Sequence, residues 1–298
     1  MPLVSVIVPT LRRPKLLLRA LESIFKQTYR EIEVIVVVDG PDEDTANVLR
    51  TVNDPRLHVI VNPRSLTAAG ARNIGVDHAK GEWIAFLDDD DEWLPSKIEK
   101  QMAFASGRND VLISCLSRVV TPDASFVRPK VIYDNSLPLD EYLFDRGAPF
   151  GGAGFVQTSS YLMPKPLFNK VRFNAESPHD DWHFILCLSK QLGARIETVP
   201  EVLVVLYSEG QRPSLSTSST WGESLVWIDS IRPIITRRAY SGFCLGVAGS
   251  RAAKERAYAS FFLLLYRAFR FGSPRIWHIL PFIAYWLLPE HKLRQLRR

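Results

Sequence analysis

The sequence predicts an α/β fold, a mixed and mostly parallel sheet flanked by helices, with a helical appendage at its C-terminal end. Three observations lead there. Over the first hundred residues, short β-branched runs alternate with amphipathic stretches. Beyond residue 219 the β pattern is lost and the chain reads as helix. The 298 residues, 46% hydrophobic and 23% charged, have ordinary globular composition and can bury a large core.

Strands are expected at residues 4–8, 33–38, 57–61 and 83–87, each a run of β-branched and aromatic side chains. Apolar residues at helical spacing predict helices between them, at about 14–26, 42–51 and 67–79. Pro14 suits a first helical position, where its missing N–H costs nothing, and Thr67 is placed to cap the third helix. A further helix should start near Pro95, with a strand at 110–120. Residues 121–160 lose periodicity, and Pro122, Pro129, Pro138, Pro149 and Gly151-Gly152-Ala153-Gly154 predict connections. Regular structure returns with a strand-like 159–163, a helix at 181–192 and a strand at 199–207, before a Ser-rich stretch at 214–219.

Cys115, Cys187 and Cys244 are odd in number, far apart and without metal-ligand spacing, which excludes a disulfide scaffold and a zinc site. Met1-Pro2-Leu3-Val4 runs directly into a strand pattern without a basic leader, so cytoplasmic synthesis and retention are expected. The net charge of +5 is concentrated at the end of the chain. Residues 251–298 hold Arg251, Lys254, Arg256, Arg267, Arg270, Arg275, Lys292, Arg294, Arg297 and Arg298 against Glu255 and Glu290. These cations are interleaved with long apolar and aromatic runs, a pattern that suits an anionic membrane surface better than nucleic acid. No apolar run reaches the ~20 residues of a spanning helix. The expected location is therefore cytoplasmic, peripheral on the inner face of the cytoplasmic membrane, with packing of these helices on the rest of the protein or in a dimer as the alternative.

The segment that carries chemistry is Phe86-Leu87-Asp88-Asp89-Asp90-Asp91-Glu92-Trp93, four adjacent aspartates directly after an apolar strand. In open α/β sheets, ligands bind beyond the carboxyl ends of the strands. Crowded carboxylates repel one another unless a cation is present, and a hard divalent ion supplies one while keeping positions for phosphate oxygens. A solvated acidic turn is the plain alternative. Asp39, in Val37-Val38-Asp39-Gly40, also ends a strand and should face the same crevice.

With these features the sequence resembles the family 2 glycosyltransferases, which share the GT-A nucleotide-sugar fold. The resemblance is carried by Val4-Ser5-Val6-Ile7-Val8-Pro9-Thr10, Gln27-Thr28-Tyr29, Val38-Asp39-Gly40, Ala71-Arg72-Asn73-Ile74-Gly75, Gly81-Glu82-Trp83-Ile84-Ala85-Phe86-Leu87-Asp88 and His179-Asp180-Asp181-Trp182. It implies an inverting transferase that moves one sugar from a UDP- or dTDP-sugar to a hydroxyl of a glycan or lipid-linked glycan acceptor, using Mn²⁺ or Mg²⁺. It implies a catalytic domain at 1–215, with 1–105 as the nucleotide-sugar half and 106–215 as the acceptor half, followed by the basic helical region at 216–298.

Residue by residue, the resemblance sets Pro9 and Thr10 against the nucleobase and Asp39 on the pyrimidine N3 hydrogen. Uracil and thymine present that donor and cytosine does not. The family often has a second acidic residue in this loop, where this chain has Val38. Arg72 matches an arginine near base or diphosphate. Asp88 falls near the ribose or a metal-bound water and Asp90 on the metal, with Asp89 and Asp91 leaving the register open by one position. Asp181 matches the general base, and Asp180 is its neighbour or a helix cap. His179 is expected to be structural.

Two other enzyme classes and one non-enzymatic role compete. A nucleotidyltransferase usually needs a Gly-rich phosphate loop after the first strand, and Pro9-Thr10-Leu11-Arg12-Arg13 has no glycine. A processive synthase would carry a Gln-x-x-Arg-Trp motif and spanning helices, and neither is found in the sequence. An inactive nucleotide-sugar or glycan-binding protein would not need Asp39, Asp88, Asp90 and Asp181 together.

Overall fold

A computed structural model describes residues 1–145, 154–208, 219–288 and 293. Gly151 to Ala153, Pro149, most of the Ser-rich stretch, Glu290, Lys292, Arg294, Arg297 and Arg298 lie outside the described residues. The chain forms two compact units, one from 1–132, 156–176 and 180–211, the other from 133–155, 177–179 and 212–298. The second unit therefore gathers short segments from the middle of the chain as well as its C-terminal part.

The first unit is built on one nine-stranded sheet. Its strands are β1 (Val4–Thr10), β2 (Ile32–Val38), β3 (Leu57–Val61), β4 (Trp83–Phe86), β5 (Glu92–Trp93), β6 (Val111–Val120), β7 (Ser125–Arg128), β8 (Leu162–Pro164) and β9 (Arg195–Tyr207). They lie in the order β3-β2-β1-β4-β8-β6-β9-β5, with β7 beside β6. The first four are mutually parallel, β8 runs against β4 and β6, and β6 and β9 form a second parallel pair. Every residue of β1, β2 and β4 is buried, which is why these strands read as continuous apolar runs rather than as alternating ones.

The helices of this unit are α1 (Pro14–Phe25), α2 (Glu43–Arg50), α3 (Thr67–His78) and α4 (Lys97–Ala105), then, after α5 (Leu139–Phe144) of the second unit, α6 (Lys165–Lys170) and α7 (Asp180–Leu192). Pro14 occupies the start of α1 as expected, and Asp42 caps α2 by accepting from Thr45 N at 3.2 Å. Gly75 lets α3 lie on the sheet, because a Cβ there would come within 2.4 Å of Ile7 Cγ2.

Several local expectations are corrected. Thr67 is the first residue of α3 rather than its cap; Leu66 holds that position, and its N–H is satisfied by Asp39 Oδ1 at 2.8 Å. The 159–163 region is not one strand: a 3₁₀ turn at Thr158–Ser160 precedes β8. The 121–160 region contains β7 and α5 as well as connections, elements too short for periodicity to register.

The second unit also contains α8 (Trp221–Ser230), α9 (Arg237–Phe243), a π-helical turn at Cys244–Ala248 running into α10 (Gly249–Lys254), α11 (Ser260–Phe271) and α12 (Ile276–Leu287). Thr220 opens α8 with a capping box, accepting from Glu223 N at 3.2 Å while Glu223 Oε2 accepts from Thr220 N at 2.7 Å. Phe144, Trp227 and Phe243 form an aromatic cluster with centroids 5.1 to 6.4 Å apart. Pro281 does not interrupt α12, which runs through it for 12 residues. At about 1.5 Å per residue that is about 18 Å, short of a bilayer core of about 30 Å. Among the described residues no helix is long and apolar enough to cross a membrane.

Candidate active site

The carboxyl ends of β1, β2 and β4 lie side by side, with Thr10 opposite Val38 and Ile7 opposite Phe86. Pro9, Thr10, Asp39 and Asp88 thus share one edge of the sheet. Asp39 is 4% exposed and already well supplied: Oδ1 accepts from Asn62 Nδ2 at 3.0 Å and Leu66 N at 2.8 Å, and Oδ2 accepts from Ser65 Oγ at 2.7 Å. A carboxylate has about four acceptor positions, so Oδ2 keeps one for a further donor. Asn62 and Ser65 gave no signal in the sequence.

The four aspartates divide by exposure. Asp88 and Asp90 keep 26% and 28% of their side chains accessible, whereas Asp89 and Asp91 are each 5% exposed. Asp89 accepts from Thr10 Oγ1 at 2.7 Å and pairs with Arg13 at 3.1 Å. Burial above all, with the neighbouring charges of Asp90 and Asp88, pushes its pKa up to about 6. Asp91 accepts from Ser159 Oγ at 2.6 Å, and burial, with Asp88 and Asp90 close by, raises its pKa well above the carboxylate range. The run is therefore not four equivalent charges on a solvated turn. It presents two carboxylates outward and holds two inside.

Each outward carboxylate is met by an arginine. Arg72 Nη2 lies 2.6 Å from Asp88 Oδ1 and its Nη1 3.0 Å from Asp180 Oδ2, while the guanidinium packs 5.1 Å from the Phe173 ring centroid. Arg72 is 6% exposed, so it is an interior cation rather than a surface arginine, and its Nε has no hydrogen-bond partner among the described residues. Arg13 Nη1 reaches Asp90 Oδ2 at 3.1 Å, and Arg19 donates to the Asp90 carbonyl at 2.5 Å and pairs with Glu92 at 2.9 Å. Among the described residues no three His, Cys, Asp or Glu side chains converge as a metal site. Asp88 and Asp90 offer hard oxygens, only part of the shell that a divalent ion takes.

Asp180 and Asp181 open α7, where the helix dipole favours negative charge. Asp180 is committed to Arg72. Asp181, partly exposed, accepts from Trp182 N at 2.7 Å, and burial followed by repulsion from Asp180 raises its pKa to about 7. A long-range brace positions this region: Asn73 Nδ2 donates to the Phe173 carbonyl at 2.8 Å, and Phe173 N donates to Asn73 Oδ1 at 3.1 Å. His179 is 3% exposed and belongs to the second unit, its ring tilted against Trp227 at 4.7 Å between centroids and its Nε2 3.2 Å from Ser224 Oγ. Burial and the nearby Arg251 lower its pKa to about 3, so it stays neutral. Trp93 is core, with Nε1 donating to the Ser159 carbonyl at 2.8 Å.

The family model described as glycosyl transferase family 2 matches residues 5–168. The amylovoran biosynthesis glycosyltransferase AmsB of Erwinia amylovora is 27% identical over 247 residues, 78% of this chain and 79% of that one. The UDP-Glc:α-D-GlcNAc-diphosphoundecaprenol β-1,3-glucosyltransferase WfaP of Escherichia coli is 39% identical over 104 residues, 35% of this chain and 41% of that protein. The structure of the mannosyltransferase PcManGT of Pyrobaculum calidifontis, in complex with GDP-Man and Mn²⁺, has a TM-score of 0.62 at 19% identity. It covers 99% of this chain and 83% of that one, and at this identity the likeness is one of fold.

Proposed function

Since the chain belongs to glycosyl transferase family 2, we propose that it transfers one sugar from a UDP- or dTDP-sugar to a hydroxyl of a lipid-linked glycan, with inversion at the anomeric carbon, in cell-surface polysaccharide synthesis. The observation that carries this reading is the meeting of Asp88 and Asp180 on one buried arginine, beside Asp181. It brings the end of β4 and the start of α7 to one place. A nucleotide site and a proton acceptor are thereby neighbours. The named activities of AmsB and WfaP support the pathway and the lipid-linked acceptor, and WfaP supports the UDP donor.

The nucleobase lies against Pro9 and Thr10, and the open position on Asp39 Oδ2 accepts the N3–H of uracil or thymine. Asn62, Ser65 and Leu66 N fix the Asp39 carboxylate for that contact. Arg72, with its unpartnered Nε, donates to the diphosphate or its flanking groups. Asp88 and Asp90 would hold Mn²⁺ or Mg²⁺, the outward pair of the run fitting a hard cation that also takes phosphate oxygens; Asp89 holds the Thr10 hydroxyl beside the nucleobase. Such an ion, when bound, neutralises charge on the leaving diphosphate.

Asp181 takes the proton of the acceptor hydroxyl as that oxygen attacks C1 from the face opposite the diphosphate. An alcohol is a weak nucleophile, and a carboxyl poised near neutral pH suits proton removal in the transition state. Asp180 stays paired with Arg72 and adds the charge that keeps Asp181 basic. A lipid-linked acceptor confines the reaction to a membrane surface, which we take to be anionic and on the cytoplasmic side. Incubation with a panel of UDP-, dTDP- and GDP-sugars, Mn²⁺ and a diphosphate-lipid glycan tests the proposal. A β-linked product from an α-linked donor is expected; no transfer from any pyrimidine donor overturns it.

A further inference from the structure

Helices α11 and α12 are apolar on two sides, which ordinary surface helices are not. Their inner sides complete the second unit through Leu264, Ala268, Phe282 and Tyr285. On the outer side of α11 stand Phe262, Tyr266 and Phe269, exposed by 76%, 59% and 57%, with Tyr258 at 69% just before the helix. On α12, Ile276, Leu280, Ile283 and Leu287 are exposed by 58%, 47%, 37% and 75%. Both sets advance in steps of three and four residues, so each is a stripe along one helix face. Scattered exposed apolar residues need no explanation; two continuous stripes do.

Among the described residues, charge around the stripes is mostly positive. Neither helix contains Asp or Glu, and α12 contains no Lys or Arg either. Lys254 is exposed at the end of α10 and Arg256 in the turn that follows, Arg270 is exposed in the last turn of α11, and Arg275 stands immediately before α12. The nearby acids are engaged within the unit. Asp229 pairs with Arg267 at 2.5 Å, Asp145 with His278 at 2.7 Å and Arg275 at 3.2 Å, and Glu255 accepts from Trp221 N at 3.0 Å.

We propose that the outer faces of α11 and α12 form a docking surface for an anionic phospholipid bilayer. The aromatic and aliphatic stripes enter the boundary between head groups and acyl chains, and Lys254, Arg256 and Arg270 meet lipid phosphates. A second copy of the chain fits this surface less well, because pairing the surface with itself would bring two basic rims together with no acid on either helix to offset them. A bilayer supplies the opposite charge. The inference deepens the transferase reading, in which the acceptor is itself lipid-borne, but its physical grounds lie in the second unit alone.

Sedimentation of the full-length protein with vesicles of phosphatidylglycerol and phosphatidylcholine, against phosphatidylcholine alone, tests it. The protein should pellet with the anionic vesicles, bind neutral ones about tenfold more weakly, and be partly released at high salt. Replacing two exposed side chains, Phe262→Ser with Phe269→Ser, should weaken vesicle binding about tenfold while leaving thermal melting and UDP affinity unchanged. Wild-type protein remaining in the supernatant with anionic vesicles at low salt overturns the proposal. So does a double variant that pellets like the wild type, or a dimer in light scattering that the double variant dissociates while vesicle binding is absent. UDP titration of the same samples separates the two readings: nucleotide binding without vesicle binding removes only the docking surface, and the reverse removes only the transferase assignment.

Discussion

The two units depart from an ordinary globular solution in opposite ways. In the first, apolar residues are thoroughly buried in a sheet, and the departure is charge: Asp88, Asp180 and Asp181 around the interior cation Arg72, with Asp90 beside Arg13. In the second, the departure is apolar surface, with Phe262 and Leu287 about three-quarters exposed. Each arrangement costs stability in isolation and becomes reasonable once a particular partner is present. Concentrated carboxylates suit a cation and a diphosphate; exposed aromatic stripes with a basic rim suit a lipid surface. The type of conflict thus indicates the chemistry of what resolves it.

That contrast is most exposed to failure at Asp90. Asp90→Asn should lower turnover about 10³-fold or more and remove the dependence of UDP-sugar binding on Mn²⁺, as read by calorimetry with and without the ion. Full activity in EDTA would contradict the assignment of Asp88 and Asp90 to a metal.

A second test asks whether the inner and outer faces of the second unit differ as burial says. Phe282, fully buried, stacks 4.9 Å from Phe261 and fills the space that Gly249 leaves open. Phe282→Ala should cost about 3–5 kcal/mol of stability in denaturant unfolding. Phe262→Ala on the outer face should change it by no more than about 0.5 kcal/mol. Equal losses would mean that the outer face is part of the packed core.

Asp181→Asn should lower the rate of sugar transfer about 10²-fold while nucleotide titrations remain close to wild type. An unchanged rate would shift the base to Asp180 or elsewhere. The smallest effect concerns pH. Because Asp181 acts as a base only when ionised and its pKa is raised to about 7, transfer should quicken as pH rises and level off above that value. Below it the rate should fall about tenfold per unit. A profile flat across this range would show that proton removal by Asp181 does not limit the reaction.

Much of the first unit was legible in the sequence because its signals are local. Continuous Val and Ile runs, Pro14 at a helix start and the motif order marked strands and helices to within a few residues. The acidic run after β4 and the Asp180-Asp181 pair could be singled out because four adjacent carboxylates and a paired helix entry are unusual without a chemical reason. Ser159, Asn62, Ser65 and Arg13 could not. Polar residues of that kind acquire meaning only from what they touch, and Ser159 lies 68 positions from the Asp91 that it supports.

The sequence by itself determined the α/β order of elements, the family, the clustering of carboxylates and the basic, apolar character of the C-terminal region, since composition and spacing along the chain carry each of these. Tertiary structure alone decided which members of the acidic run face outward, because alternation between Thr10 on one side and Ser159 on the other depends on contacts across the sheet. It likewise decided that Arg72 is buried between Asp88 and Asp180, and that α11 and α12 keep one apolar face outside. Helical periodicity can show that both sides of a helix are apolar; only packing selects the side that is covered.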